Sequence, residues 1–374
     1  MRKNFRQKAV VNIVIIVMIF CSVVMPSSSC VSYADGETGD SKVTLMLTGD
    51  LMCDYKFQDA LYNSKKKKFN FDNTFRFVKP LFNSADIVVG NLEGNCASGY
   101  PLSRKRHRYR GKPYLNGPYS FLKALKKAGF DGLVMANNHN CDTFKSGIPQ
   151  TIKAVERAGF KHTGLYASAD DKHYFIIERN GIKVAFLSYA NYFNDLENSL
   201  SKANQDIMLS KYSKGKVAAE VQEARDAGAD FVIVYIHMGV EYKHLTTDYQ
   251  KKIMKSITQA GADYIVGSHA HVLQGTGVVE YGGRQVHCVY GMGNFTGKLT
   301  NKATRETAIL KLTLNKNAEG QTELSNEKFI PCYMSDRSIY GKQVIIPKGA
   351  KVKERTARLV RHFKRILTHL KLIK

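Results

Sequence analysis

The stretch Gly132-Leu-Val-Met-Ala-Asn-Asn-His-Asn-Cys-Asp142 decides the fold. Its first five residues, Gly132 to Ala136, form a short apolar run that predicts a buried strand. The strand ends at Asn138 and His139, which places an amide oxygen that can bind a metal beside an imidazole that can transfer protons. Asn-rich strand ends also form ordinary turns. The interpretation therefore depends on which residues lie at the ends of the other strands.

At least five other apolar runs also end in a residue that can bind a metal. Predicted helices at 121–128, 146–158, 216–227 and 248–260 alternate with these strands, which indicates a sheet wound with helices. Such sheets gather their sites at the carboxyl edge of the strands. For Asp50 alone, a helix N-cap is an equally good interpretation. Together with Asn138 and His139, the ligand-type residues at the strand ends are Asp50, Glu93, His237, His269 and His271, and the glycine turn before Asn294 closes near the same edge.

The rest of the chain adds strands and one terminal helix. Hairpins are predicted at 174–188 and 277–290, and further strands at 306–314 and 323–334. The polar segment 189–213 is irregular and can act as a lid. The tail 351–374 predicts an amphipathic helix, which either packs on the domain with a solvated basic face or lies on a membrane surface. Its apolar face comprises Leu359, Phe363, Ile366, Leu370 and Ile373.

The amino-terminal residues have the pattern of an export signal. Four basic residues precede the apolar run Ala9 to Met25, and Ser32-Tyr33-Ala34 matches a small-x-small cleavage site. Residues 1–34 are therefore predicted to be a cleaved signal peptide or a retained membrane anchor. In either case the body of the protein is expected outside the cytoplasm, secreted or anchored to the cell membrane. The basic residues are Arg2, Lys3, Arg6 and Lys8.

The charge of the chain indicates an anionic partner. The net charge is +24, and it falls to +20 without residues 1–34, which contain four basic residues and no acidic one. A cell-wall polymer, anionic lipid or nucleic acid would be attracted. Export, together with the absence of zinc-finger spacing and aromatic RNA-binding motifs, argues against nucleic acid. The basic loop 100–117 is either a solvated surface or a clamp for carboxylate or phosphate.

Five cysteines remain after residue 34: Cys53, Cys96, Cys141, Cys288 and Cys332. This odd number excludes a complete disulfide framework. The thiols are either buried and free, or one disulfide forms among Cys53, Cys96 and Cys141.

Together the strand ends supply two carboxylates, one amide oxygen and three imidazoles. These donors can hold two divalent ions, and His139 remains as an unbound general acid. Mixed nitrogen and oxygen donors suit Mn, Fe, Zn or Ni better than Ca. The predicted ligands are Asp50, Glu93, Asn138, His237, His269 and His271.

Six motifs in order make the chain resemble the CapA family of poly-γ-glutamate capsule-biosynthesis proteins. They are Gly49-Asp50-Leu51-Met52, Asn91-Leu92-Glu93, Ala136-Asn137-Asn138-His139-x-x-Asp142, His237-Met238-Gly239-Val240-Glu241-Tyr242, Gly267-x-His269-x-His271-Val272-Leu273-Gln274 and Gly293-Asn294-Phe295. The resemblance implies a calcineurin-like metallophosphoesterase fold, an α/β sandwich of mixed sheets flanked by helices, over residues 43–340. It departs from standard metallophosphoesterases at Met52, Met238 and Ala270, where those enzymes have His, Trp and Pro.

The resemblance also implies roles. His139 and Asp142 are the predicted catalytic residues, and the substrate is either an anionic polymer, poly-γ-glutamate, or a phosphate ester. Three functions stay open: a metal-dependent hydrolase, a non-catalytic accessory that guides the polymer beside membrane-bound capsule machinery, and a phosphoesterase for another cell-surface polymer. The predicted substrate-binding residues are Arg104, Arg106, Arg108, Arg110 and Asn294.

Overall fold

Two β-sheets packed face to face, with helices on both outer faces, make up the part of the chain that this computed structural model describes. The described residues are 41–106, 108–109, 111–335, 343–352 and 357–370. The predicted signal or anchor, residues 1–34, lies outside them.

The first sheet carries the strand that begins at Gly132 near one edge of its parallel part. Its strands are β1 (Ser41–Met52), β4 (Ile87–Glu93), β7 (Gly132–Val134), β8 (Lys161–Thr163), β15 (Asn294–Thr296), β16 (Glu306–Lys316), β17 (Thr322–Met334) and β18 (Ile345–Pro347). The spatial order is β18-β17-β16-β1-β4-β7-β8, and β15 also pairs with β1. The strands β1, β4, β7 and β8 run parallel, whereas β16 to β18 are antiparallel.

The second sheet has six strands and the same mixed character. Its strands are β9 (Tyr174–Arg179), β10 (Ile182–Ala190), β11 (Phe231–His237), β12 (Tyr264–Ser268), β13 (Thr276–Tyr281) and β14 (Arg284–Val289). The order is β13-β14-β12-β11-β10-β9, with parallel central strands and antiparallel edges. Two short ribbons pair β2 (Tyr62–Asn63) with β3 (Lys68–Phe69) and β5 (Arg108–Tyr109) with β6 (Lys112–Pro113).

Helices cover the outer faces of both sheets. They are α1 (Tyr55–Leu61), α2 (Lys79–Phe82), α3 (Tyr119–Ala128), α4 (Phe144–Arg157), α5 (Lys202–Met208), α6 (Lys214–Asp226), α7 (Asp248–Gln259) and α8 (Ala357–His369). Short 3-10 turns lie at Asp72–Phe75, Ser103–Lys105, Leu196–Ser199 and Lys302–Arg305. None of the helices in the described part of the chain is long and apolar enough to cross a bilayer.

The main core lies between the sheets. Val43, Leu45 and Leu47 alternate along β1 and pack against inward-facing residues of the second sheet, such as Phe186 and Ile233. The predicted α/β sandwich of mixed sheets flanked by helices is confirmed. The two predicted hairpins form the antiparallel edges of the second sheet.

The five cysteines after residue 34 all lie in the described ranges and are buried free thiols, so no disulfide forms among Cys53, Cys96 and Cys141. The terminal helix α8 packs on the domain through Leu359, Ile366 and Leu370. Ile373, the last residue of the predicted apolar face, lies outside the described residues.

A bulge in β1 sets the direction of the Asp50 side chain, the first candidate metal ligand. The pairing of β1 with β4 shifts register between Thr48 and Asp50, and such bulges redirect a side chain. A side chain at Gly49 would place its Cβ 2.1 Å from the carbonyl oxygen of Gly293. The close approach lets the Asp50 amide donate to that oxygen at 3.0 Å. Asp50 therefore lies within a strand, and the N-cap of α1 is Asp54 instead.

Candidate metal centre

The carboxyl edges of both sheets meet at a buried group formed by Asp50, Glu93 and His271. Their ligand atoms lie within 4.8 Å of one another. The Nδ1 atom of His271 is 3.6 Å from Asp50 Oδ2 and 3.8 Å from Glu93 Oε2. Two carboxylates and one imidazole at this spacing can coordinate a divalent ion.

Asn138, His237 and His269 form a second group on the other side of Glu93. His237 Nε2 lies 2.9 Å from Asn138 Oδ1 and 3.2 Å from His269 Nδ1. The same His237 atom is 4.0 Å from Glu93 Oε1. The structure thus brings all six predicted ligands together, with Glu93 between the two groups. Their role as metal ligands stays a prediction.

The environment of Glu93 fits a cation. The side chain is buried, and neither carboxylate oxygen has a hydrogen-bond partner among the described residues. Burial raises the pKa of this carboxyl to about 8, although the neighbouring His271 lowers it. An unpaired buried carboxylate is costly, and a coordinated cation removes that cost. The residues present therefore fit a divalent metal.

The histidines of the centre differ in their protonation. Burial and the nearby His271 lower the pKa of His269 to about 3, which favours the neutral, metal-binding form. Burial alone would lower the pKa of His271, but Glu93 and Asp50 raise it to about 10. A cation at the first group would replace the proton on His271 as the partner of these two carboxylates.

His139 and Asp142 form a hydrogen-bonded pair at the edge of the cluster. His139 Nδ1 lies 2.8 Å from Asp142 Oδ2, which also accepts from the Leu115 amide at 2.6 Å. Burial lowers the pKa of His139, but the charge and hydrogen bond of Asp142 outweigh burial and raise it. With Nδ1 held by Asp142, the proton available for transfer is on Nε2, which lies 4.0 Å from Glu93.

Asn91 and Asn294 orient the ligands. Asn91 Nδ2 donates to Asp50 Oδ1 at 2.8 Å. Asn294, which is parallel-paired with Asp50 through β15, has its Oδ1 atom 2.8 Å from His271 Nδ1 and accepts from that nitrogen when it carries a proton. The predicted role of Asn294 in substrate binding stays a prediction. The contact with His271 shows a positioning role that the sequence did not indicate.

Strained backbone surrounds the centre. His269 and His271 have φ values of 91° and 59°, and Tyr242, Asn194 and Asp195 are also in the left-handed region. Non-glycine residues adopt such angles at a cost and concentrate at functional sites. The surrounding structure therefore holds the two ligand histidines in a backbone conformation that is costly for a non-glycine residue.

The predicted lid contributes two residues to the centre. The hydroxyl of Tyr192 hydrogen-bonds to His269 Nε2, and Asn138 Nδ2 donates to Asn194 Oδ1 at 3.2 Å. The segment is more regular than predicted, because α5 forms within it. Neither Tyr192 nor Asn194 could be predicted from the sequence, because the segment is polar and its apolar residues show no regular spacing.

A cavity of about 230 Å³ opens above the cluster and is lined by residues of several elements. Its lining includes His139 and His271 of the centre together with Met52, Arg106 and Arg108. Met52, which stands where standard metallophosphoesterases have a histidine, therefore lies at the cavity.

The basic loop contributes unequally to this cavity. Arg104 stacks on Tyr62, with its guanidinium carbon 3.8 Å from the ring centroid, and lies 3.5 Å from Asp59. Arg106 has a side chain 70% exposed and also lies 3.5 Å from Asp59. The predicted clamp is thus represented at the cavity by Arg106 and Arg108, while Arg110 lies outside the described residues.

Comparison with known proteins places the chain among capsule proteins. The model described as "Bacterial capsule synthesis protein PGA_cap" matches residues 44–298. "Capsule biosynthesis protein CapA" of Bacillus anthracis is 29% identical over 328 residues, 84% of this chain and 74% of that protein. "PGA biosynthesis protein CapA" of Bacillus subtilis (strain 168) is 29% identical over 265 residues, 68% of this chain and 64% of that protein.

Solved structures show a weaker likeness. The calcineurin-like phosphoesterase YfkN from Bacillus subtilis has a TM-score of 0.49 and 14% identity, with 88% of this chain and 97% of that chain covered. The family model covers more than half of the chain and all six motifs, and the protein therefore belongs to the CapA (PGA_cap) family of bacterial capsule synthesis proteins.

Proposed function

We propose that this protein is an exported, metal-dependent hydrolase of capsule biosynthesis that cleaves a phosphate ester during assembly of poly-γ-glutamate. Membership of the capsule synthesis family and the printed names of the two Bacillus relatives support the capsule role. The buried Glu93 carboxylate carries the metal-dependent part, because it faces two groups of ligand-type side chains and accepts no hydrogen bond from the described residues.

The ligand set divides around Glu93. Asp50 and His271 would hold one ion and Asn138, His237 and His269 the other, with Glu93 facing both groups. Bound divalent ions supply Lewis acidity that polarises a phosphoryl oxygen and makes water more acidic.

The chain's own residues supply the proton and the charge complementarity. Asp142 fixes the His139 ring, and His139 Nε2 donates a proton to the leaving oxygen. Arg106 and Arg108 hold the anionic substrate at the cavity wall. Asn91 and Asn294 keep Asp50 and His271 in place, so the centre needs little rearrangement when substrate binds.

Metal analysis and a phosphatase assay on the full chain test this function. The purified protein is stripped with a chelator, reloaded with Mn²⁺ or Zn²⁺, and assayed on bis(4-nitrophenyl) phosphate and 4-nitrophenyl phosphate. We expect about two ions per chain and metal-dependent hydrolysis. His287→Asn is the matched control, because His287 pairs with Glu327 at 2.6 Å and is not among the residues of the cluster. Absence of bound metal together with absence of hydrolysis would reject the hydrolase.

A second function is favoured by the exposed arginine at the cavity. The 70% exposed Arg106 and the net charge of +24 suit a protein that binds and guides a polycarboxylate without cleaving it. Salt-sensitive binding of poly-γ-glutamate by metal-free protein, unchanged by His139→Asn, would support this accessory role.

Export is the remaining part of the proposal and rests on the pattern of residues 1–34. Intact-mass analysis of the protein from its native host distinguishes the two forms. Cleavage after Ala34 gives a chain that begins at Asp35, and a retained anchor gives the full length. Recovery of the full-length chain in the soluble cytoplasmic fraction would contradict export.

A further inference from the structure

The segment that follows β10 reaches the second group of candidate ligands through two side chains. The hydroxyl of Tyr192 hydrogen-bonds to Nε2 of His269, and Asn194 Oδ1 accepts from Asn138 Nδ2 at 3.2 Å. Neither Tyr192 nor Asn194 lies in one of the six motifs, and neither belongs to the predicted ligand set. What these two contacts do follows from which atoms of His269 and Asn138 they occupy.

The contact with Tyr192 determines which nitrogen of His269 is free to bind an ion. His269 Nδ1 lies 3.2 Å from His237 Nε2, and two nitrogens that each lie about 2.0–2.1 Å from one ion are roughly 3 Å apart. Nδ1 is therefore the nitrogen that faces the ion of the second group. A neutral imidazole carries one proton, and a partner that accepts this proton at Nε2 leaves a lone pair on Nδ1. The Tyr192 hydroxyl is that partner, because it lies nearer to Nε2 than to Nδ1, which is 3.5 Å away.

The contact with Asn194 fixes the orientation of the Asn138 amide. An amide coordinates a cation through its oxygen, whereas its nitrogen only donates hydrogen bonds. Asn138 Oδ1 lies 2.9 Å from His237 Nε2, inside the second group, while Nδ2 is directed at Asn194. Rotation of the amide by half a turn would direct Nδ2 at the ion and would break the hydrogen bond to Asn194. Asn194 therefore stabilises the orientation that can bind an ion.

Contacts outside the second group's side chains hold residues 191–194 in place. The backbone amide of Asn191 donates to the carbonyl oxygen of His237 at 3.1 Å, and Asn191 Oδ1 accepts from the Tyr249 hydroxyl at 2.8 Å. Phe193 is fully buried in an apolar cluster. Asn194 has a φ of 58°, a left-handed conformation that asparagine adopts more readily than most residues. The fold thus places Tyr192 and Asn194 through contacts that do not require an ion.

We propose that Tyr192 and Asn194 are positioning residues for the ion of the second group. Tyr192 keeps His269 in the tautomer that presents Nδ1, and Asn194 keeps the Asn138 oxygen turned toward the ion. This inference rests on the metal-dependent part of the proposed function. It adds that the segment after β10, which supplies none of the predicted ligands, determines how tightly one of the two ions is held.

The two ions should then respond separately to substitutions. Asn91 and Asn294, both in the first sheet, contact Asp50 and His271 of the first group. The contacts of the segment after β10 are instead with ligands of the second group. Loss of a partner that orients a ligand typically weakens metal binding by about 10–100-fold. A change in the segment should therefore weaken one ion by about this factor and leave the other nearly unchanged.

Calorimetric titration of the chelator-stripped full chain with Mn²⁺ measures both affinities, and electron paramagnetic resonance shows whether the bound ions are neighbours. Tyr192→Phe removes only the hydroxyl, and Asn194→Gly removes the amide while allowing the left-handed backbone. Asn194→Asp retains an oxygen that accepts from Asn138 and serves as the conservative variant. Tyr249→Phe is the matched control, because it removes the hydroxyl that bonds to Asn191 in the same segment.

The native protein and Tyr249→Phe should bind about two Mn²⁺ per chain and give the spectrum of a spin-coupled pair. In Tyr192→Phe and Asn194→Gly, one ion should bind about 10–100-fold more weakly, and the spectrum at low Mn²⁺ should become that of an isolated ion. Asn194→Asp should retain the tight second ion. The melting temperature of each stripped variant checks that it folds.

Tight binding of both ions by Tyr192→Phe and Asn194→Gly would overturn this inference and leave the proposed function intact. An equal loss of affinity in Tyr249→Phe would also overturn it, because general loosening of the segment would then explain the effect. Failure of the native protein to bind any ion would reject the metal-dependent function and this inference together.

Discussion

Two buried glutamates in the same sheet, Glu93 on β4 and Glu306 on β16, have opposite surroundings. Both side chains are almost fully buried. Glu306 Oε1 lies 2.6 Å from His362 Nδ1 and accepts from Arg365 Nε at 2.9 Å. Neither oxygen of Glu93 has a hydrogen-bond partner within the part of the chain that the structure describes.

The pKa values of the two buried carboxyl groups are shifted in opposite directions. Burial raises the pKa of Glu306, but hydrogen bonds from His362 and Arg365 outweigh burial and lower it. Burial raises the pKa of Glu93 to about 8. The Glu306 carboxylate is paired with His362 and Arg365 of α8, and these contacts hold α8 against the sheet. The Glu93 carboxyl accepts no hydrogen bond from the described residues, and its charged neighbour is His271 at 3.8 Å, whose proton a bound cation would replace. A buried polar group without a hydrogen bond is in this way evidence of function.

The largest difference between the two glutamates should appear in metal binding. We expect Glu93→Gln to weaken metal affinity by about 100-fold or more and to abolish metal-dependent hydrolysis, because a ligand to both groups is lost. Glu306→Gln should leave the metal content unchanged. Calorimetric titration with Mn²⁺ measures the metal affinity of each chelator-stripped variant. Equal affinities in Glu93→Gln and Glu306→Gln would contradict the contrast between the two glutamates.

Replacing the histidine beside each glutamate should distinguish the catalytic His139 from the structural His362. His139→Asn is expected to lower kcat by about 10² to 10⁴-fold while metal content is unchanged, because the proton donor is lost. His362→Asn should leave kcat unchanged. Steady-state kinetics at saturating metal provides the measurement. A similar kcat for His139→Asn and the native protein would remove His139 from the mechanism.

Stability of the metal-free protein should change in opposite directions. Glu93→Gln is expected to stabilise it by about 1–3 kcal/mol at neutral pH, because an unpaired buried carboxyl is replaced by a neutral amide. Glu306→Gln should destabilise it by about 1–3 kcal/mol, since a buried charge-assisted hydrogen bond is lost. Urea unfolding of the chelator-treated proteins gives both values. Destabilisation by both substitutions would mean that the contact of Glu93 with His271 outweighs the cost of burying its carboxyl, and would contradict the raised pKa of Glu93.

The smallest expected effect is a change in folding stability at acidic pH. Because the pKa of Glu306 is lower in the folded protein than its ordinary value of 4.5, its stabilising contribution is present above about pH 4.5 and is lost as the pH falls through the folded pKa. The stability difference between the native protein and Glu306→Gln should therefore shrink between pH 6 and pH 3. Unfolding curves at several pH values test this, and a constant difference would contradict the assigned pKa direction.

The positions of the strand ends could be predicted from the sequence, because a strand end is marked by a local pattern, an apolar run followed by a polar residue. Buried apolar runs are easily recognised, and parallel strands bring their carboxyl ends to one edge, so Asp50 and Glu93 could be placed together from the sequence alone. His237 ends a strand of the second sheet, and the packing of the two sheets brings it to them. The family resemblance, since shown by the family model, strengthened that placement.

The sequence could not reveal contacts that depend on irregular segments. Tyr192 and Asn194 reach the centre from a polar loop without apolar period, and Asn294 meets His271 only because β15 pairs with β1. Whether Arg104 faces the cavity or stacks on Tyr62 depends on tertiary packing.

Crystals of the full chain soaked in Mn²⁺ and measured for anomalous scattering test the central claim most directly. Two peaks are expected, each about 2.0–2.3 Å from its ligands. One should contact Asp50, Glu93 and His271, and the other Glu93, Asn138, His237 and His269. A map without a peak at Glu93, in which its carboxylate is hydrogen-bonded to a protein side chain instead, would contradict the account.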